Sequence, residues 1–162
     1  HRRQRQMCIR DRFLILLSCG YSPVNNQEEE PLNVFFSFKN NPLNKSLISE
    51  IRKNSSFLNL RLSSSENADV EIEITNHRIG KFLNTTDGNF FPAVGTLDYQ
   101  LDFYLKNNSK KEFVEFFTNE NFAYDINSIL SNEQKVEEIK INFFKQALTE
   151  ISFRLTNFST SL

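Results

Sequence analysis

"TLDYQLDFYLKNNSKKEFVEFFTNENFAYDI", from Thr96 to Ile126, decides the fold. Leu97, Tyr99, Leu101, Phe103 and Leu105 alternate with Asp98, Gln100 and Asp102. A period of two puts the first set on one face of a β-strand and the second on the other. "KNNSKK" then supplies turn residues, and "EFVEFFTNENFAYD" returns as a second strand. A bulge is expected near Thr118 to Asn121, where the apolar rhythm lapses. The stretch is therefore a long hairpin with one dry and one wet face, which needs a partner layer on the dry side.

The segments on either side supply that layer. "LNVFFSF" (Leu32–Phe38) reads as a strand, and "KNNP" closes it. In "PLNKSLISEIRKNS", Leu43, Leu47, Ile48 and Ile51 recur at helical spacing, with Pro42 suited to the first turn and Asn54 to the end. "FLNLRLSS" (Phe57–Ser64) fits either a short strand or a packed loop. In "ADVEIEITNHRIGKFL", Val70, Ile72 and Ile74 alternate with Glu71, Glu73 and Thr75, so this too is a strand with one wet face. "NTTDGN" (Asn84–Asn89) is expected as a turn. The last element is a long helix, with "SNEQ" (Ser131–Gln134) at capping-box spacing. Its apolar stripe is Val136, Ile139, Phe143, Ala147, Leu148, Ile151 and Leu155. The expected class is α+β: a two-layer sandwich, mostly antiparallel sheet of about four strands, with two helices packed on one face. The single domain is expected over 32–156, with a polar tail at 157–162.

At 162 residues and a net charge of −1, the chain suits one domain and gives no bulk attraction for a polyanion such as nucleic acid. Its 17 Phe, no Trp and scarce Gly match an AT-rich coding sequence. Both cysteines, Cys8 and Cys19, precede the expected domain, so the domain itself has neither a disulfide framework nor a Cys-rich zinc site. Residues 1–12 are expected to be foreign to the protein. With permitted codons "RRQRQMCIRDR" (Arg2–Arg12) back-translates to a transposase-type sequencing adapter read in frame, so it is set aside from fold reasoning. The natural start of the chain would then lie further upstream.

The next stretch, "FLILLSCG", is an apolar run ending in Leu-Leu-Ser-Cys. It resembles the lipobox of bacterial lipoproteins, in which the Cys is lipid-modified and becomes the first mature residue. Phe13–Ser18 would be the end of a signal peptide, Cys19 the lipid anchor and residues 19–31 a tether rich in acid and Pro. A buried strand or helix turn is the competing reading of the apolar run, which is too short to span a bilayer.

Little in the sequence points to catalysis. His77 is the one histidine of the domain and is expected at the surface; no Gly-rich phosphate loop or Gly-x-Ser-x-Gly is present. The carboxylate pairs Glu71/Glu73 and Asp98/Asp102 fall on wet faces. Two basic groups could meet the phosphates of an anionic lipid: Arg78 with Lys81 in "NHRIGKF", and Lys110 with Lys111 in the hairpin turn.

Taken together, "LLSCGYSP", "LNVFFSF" followed by "PLNKSLISEIRK", "VGTLDYQLDFYL", and "FAYDINSILSNEQKVEEIKINFFKQALTEISFRL" with its late Arg154–Leu155 pair resemble the LPS-assembly lipoprotein LptE family over about residues 16–156. The resemblance implies a non-catalytic outer-membrane lipoprotein facing the periplasm. It would plug and help assemble the LptD β-barrel, and would bind lipopolysaccharide (LPS). It implies no cofactor, no metal and no nucleic acid. The family's LPS-contacting residues have no matching motif here, so Arg78, Lys81, Lys110 and Lys111 are candidates on chemistry alone. A different periplasm-facing lipoprotein, such as an auxiliary subunit of an ABC-type lipid transporter, is the alternative expectation.

Overall fold

The computed structural model describes residues 30–160, apart from 87, 89 and 90. Phe13–Ser18, Cys19 and nearly all of the expected tether lie outside the described residues. Eight elements run in order: β1 (Leu32–Phe38), α1 (Pro42–Lys53), β2 (Leu60–Leu62), a 3₁₀ turn (Ser65–Asn67), β3 (Val70–Thr86), β4 (Pro92–Lys106), β5 (Lys111–Ala123) and α2 (Ile129–Thr160). The strands form one sheet in the order β2-β1-β3-β4-β5. The three long strands make an antiparallel meander, while β1 pairs parallel with both β2 and β3. Both helices pack on one face of the sheet, so the structure is the expected α+β sandwich with one further strand. That strand, β2, comes from the ambiguous "FLNLRLSS" segment.

The order of elements follows from where each buries its apolar residues. In β4, Leu97, Tyr99, Leu101, Phe103 and Leu105 are each at most 1% exposed, and the residues between them are only partly buried. The stripe of α2 lies over this row, with Phe143, Ala147, Ile151 and Leu155 buried. α1 adds Leu47, Ile48 and Ile51 over β1 and β3. Asn41 caps α1 by accepting the Asn44 N–H at 2.7 Å, and Pro42 opens its first turn. The N–H of Asn54 closes it on the carbonyls of Glu50 and Ile51.

Three local expectations are corrected. β5 pairs with β4 from Lys111 to Ala123 without a register shift, so the bulge near Thr118–Asn121 is absent. The shifts lie in β3 instead, between Ile74 and Asn76 and again between Leu83 and Thr86. Second, α2 begins at Ile129, which puts Ser131–Gln134 inside the helix rather than at its cap. Its first turn is organised by Asn132, which accepts from the Asp125 N–H and donates to the Asp125 carbonyl. Third, α2 continues into the segment expected as a polar tail, because Phe158 is 1% exposed and extends the buried stripe by one more turn.

Gly95 shows how tightly β4 and β5 close. A Cβ there would sit 2.4 Å from the Phe122 ring, which occupies the space of the missing side chain. The centre of the interface is set by Phe143, fully buried with its ring centroid 5.5 Å from that of Tyr99. Phe143→Ala is expected to cost about 3–5 kcal/mol, read as a lower urea midpoint with an unchanged m-value; a loss below 1 kcal/mol would mean that α2 does not hold the sheet.

Candidate functional site

The sheet has two unlike faces, and each candidate residue is placed by its position along a strand. Successive side chains point to opposite faces. Arg78 and Lys81 differ by three positions in a regularly paired stretch, so they fall on opposite sides of the sheet. The structure therefore does not bring them together as one cluster.

Arg78 lies on the face away from the helices. Its Nε donates to Gln100 Oε1 at 2.9 Å. A small hollow of about 120 Å³ beside it is lined by Gly80, Phe82, Asp98 and Phe117. Gln100 in turn donates to both oxygens of Asp102, and Asn76 donates to Asp102 Oδ2 at 2.8 Å. Further along, Lys106 pairs with Glu73 at 2.6 Å. That ammonium holds the Glu73 carboxyl below the ordinary carboxylate range. From this polar lattice three rings stand out half-exposed, Phe82, Phe113 and Phe117.

Lys81 lies on the helix face. Its Nζ is 5.8 Å from the centre of the Phe122 ring and 5.5 Å from that of Tyr124. It borders a groove of about 850 Å³ beside the first turns of α2, lined also by Leu130, Glu133, Val136, Glu137 and Glu138. Three carboxylates around one or two lysines make this groove a poor host for a phosphate. Lys110 and Lys111 sit at the opposite end of the meander. Lys110 pairs with Glu112 at 3.0 Å and lies 4.9 Å from the centre of the Phe158 ring; Lys111 lies 3.9 Å from the centre of Tyr104. The four cations are thus spread over three places.

His77 overturns the expectation of a surface histidine. The register shift in β3 turns it inward, among α1, α2 and β4. Nδ1 lies 2.6 Å from Oδ1 of buried Asn44, whose own amide nitrogen donates to Lys39 O, so Nδ1 is the donor. Tyr99 meets the ring edge-on at 5.3 Å, and Phe144 stands at 6.2 Å. His77 Nε2 and the Tyr99 hydroxyl are both buried without a hydrogen-bond partner among the described residues. Burial lowers the His77 pKa to about 4 and pushes the Tyr99 hydroxyl up. This pair packs the sheet against both helices through Asn44 and Phe144. The sequence carried a signal for it: Ile74 and Ile79 share a strand face only if an extra residue lies between them. Among the described residues no cluster of three or more His, Cys, Asp or Glu could hold a metal ion, and no helix is long and apolar enough to cross a membrane.

No protein-family model matches the chain, and no curated protein matches it. Solved structures do. The chain shares its fold with bacterial lipoproteins. The rare lipoprotein B of Shewanella oneidensis superposes with a TM-score of 0.64 at 12% identity, over 80% of this chain and 97% of that one. A minor lipoprotein of Acinetobacter baumannii gives 0.59 at 14% identity, over 76% and 92%. Lipoprotein B of Nitrosomonas europaea gives 0.64 at 14% identity, over 80% and 84%. At these identities the likeness concerns the fold.

The partly buried imidazole has a signed consequence. Its folded pKa lies below its unfolded value, so its contribution to stability is complete above about pH 6.5 and is lost as pH falls toward 4. After discounting for partial exposure, the loss between pH 7 and pH 5 is expected to be on the order of 1 kcal/mol. Thermal melts should show a steeper acid loss in the wild type than in His77→Gln, and equal slopes would remove His77 as the source.

Proposed function

We propose that the chain is an envelope lipoprotein of the LptE type, anchored through Cys19. In this reading it faces the periplasm from the outer membrane and serves as plug and assembly partner of an LptD-type β-barrel that delivers LPS. One observation carries the reading: the helices cover one face of the sheet only. The other is a hydrogen-bonded polar lattice with three projecting phenylalanines. Barrel lumens are polar, and a rigid, polar, one-sided sheet is a surface that can line one. The lipobox-like "LLSCG" and the fold shared with solved bacterial lipoproteins support the anchor. The role is binding and assembly, not catalysis.

Within this reading Arg78 is the strongest of the four cations for an LPS phosphate. It stands on the uncovered face beside two half-exposed rings, and it is held by a neutral amide. Lys81 faces carboxylates, and Lys110 pairs with one. Arg78→Glu should weaken LPS retention about tenfold or more, on the scale of one charge-assisted hydrogen bond, and leave the melting temperature within a few degrees. Lys81→Glu should leave retention unchanged. The reverse ranking in a pull-down on immobilised LPS would move the site to the helix face.

The anchor and the partner are tested in cells. Given a functional signal sequence, the chain should carry an acyl mass increment, and Cys19→Ser should release it from the membrane fraction. Crosslinking should recover a large outer-membrane barrel; recovery of an inner-membrane permease instead would favour the transporter-subunit reading.

A further inference from the structure

The loop between α1 and β2 is built more firmly than a connection requires. Leu58 N–H donates to Asn54 O at 3.0 Å, Asn59 N–H to Ser56 O at 3.3 Å, and Leu60 N–H to Ser55 O at 2.9 Å. Asn59 takes a positive φ of 51° to complete the turn. Held at the tip is Phe57, 89% exposed, the most exposed of the large apolar side chains among the described residues. A groove of about 610 Å³ runs beside the loop, lined by Arg52, Arg61, Ser55, Ser56 and Pro31 among others, with no carboxylate in its walls. Neither guanidinium has a carboxylate partner among the described residues. Two nearby acids are engaged: Glu50 with Lys53 at 3.1 Å, and Asp69 with the backbone and side-chain amides of Asn33; Glu30, one residue before the groove-lining Pro31, is exposed.

Position adds to chemistry. Leu32 N–H donates to Asn59 O at 3.1 Å, so the loop is tied to the start of β1. There the chain comes in from Cys19. Residues 19–31 can span at most about 40 Å, so an anchor at Cys19 keeps this end of the domain close to the bilayer.

We propose that the Phe57 loop, with Arg52 and Arg61, is a membrane-docking surface that inserts an aromatic ring into the interface and meets anionic phospholipid headgroups. Two guanidiniums suit phosphate oxygens, and an aromatic ring settles at headgroup depth. A basic patch beside an acyl anchor gives a second membrane signal. It would also fix the domain's orientation, which an acyl chain on a tether does not. The proposal takes only the anchor from the function above. The affinity of the patch for anionic bilayers stands apart from that and is read on unlipidated protein, while anchoring and barrel recovery are read in cells.

The chain has no tryptophan, so Phe57→Trp gives a single emitter at the loop tip. The full, unlipidated chain carrying F57W is titrated with vesicles of phosphatidylcholine alone and of phosphatidylcholine with phosphatidylglycerol, with and without brominated acyl chains. The expected result is a blue shift and bromine quenching only with phosphatidylglycerol, weakened by salt. Adding Arg52→Glu and Arg61→Glu should cut partitioning about tenfold or more, with unchanged circular dichroism. The basic stretch Arg2–Arg12 is common to both proteins and cancels in the ratio. Emission that stays at its aqueous wavelength while the chain pellets with vesicles would overturn the proposal, as would equal partitioning of the reversed variant. A shift produced equally by soluble glycerol phosphate would assign the groove to a free anion and overturn the bilayer reading.

Discussion

The contact on which the rest of this structure depends is that between the inward row of β4 and the stripe of α2. Leu97, Tyr99, Leu101, Phe103 and Leu105 lie against Phe143, Ala147, Ile151 and Leu155, all buried. Each large side chain so buried contributes about 1.5–3 kcal/mol, and the seam is continuous along the meander. Because it occupies one face of the sheet, it forces every even-numbered residue of β4 outward. The polar lattice of the other face follows from that, with Gln100 and Asp102 at its centre.

Phase is the second constraint. β3 enters the sheet with Ile72 and Ile74 inward, then gains one residue against β4 and continues with His77 and Ile79 inward. The shift turns the partly buried His77 toward the helices beside Tyr99 and Asn44, and it sends Arg78 to the uncovered face. One extra residue thus decides which cation meets solvent on which side. It also places His77 Nε2 beside the inward Tyr99 OH, and both are buried without a hydrogen-bond partner among the described residues.

The two ends of the domain carry different surfaces. At the β3–β4 tip and the start of α2, Lys81 lies among carboxylates. At the α1–β2 loop, two guanidiniums without a carboxylate partner among the described residues and an exposed ring lie where the chain arrives from its N-terminal segment. Between them the uncovered sheet face presents polar groups and aromatic rings. The proposed anchoring, bilayer contact and barrel partner rest on this distribution of chemistry.

Much of the fold was legible in the sequence. Strict alternation in Thr96–Lys106, the helical stripe from Val136 to Leu155 and the Asn-Pro opening of α1 each specify local structure, because period and capping are properties of neighbouring residues. The Arg78–Lys81 separation was legible too, since an odd spacing along a regular strand divides faces. Other features needed the tertiary structure. The parallel placement of β1 between β2 and β3, the strand formed by Leu60–Leu62, and the helical path through Phe158 depend on contacts distant in sequence. So does the neutrality of His77, which comes from burial beneath two helices. Residue order determined which faces are dry; only packing decided what each dry face meets, because burial energy is non-directional and takes its geometry from the elements that close over it.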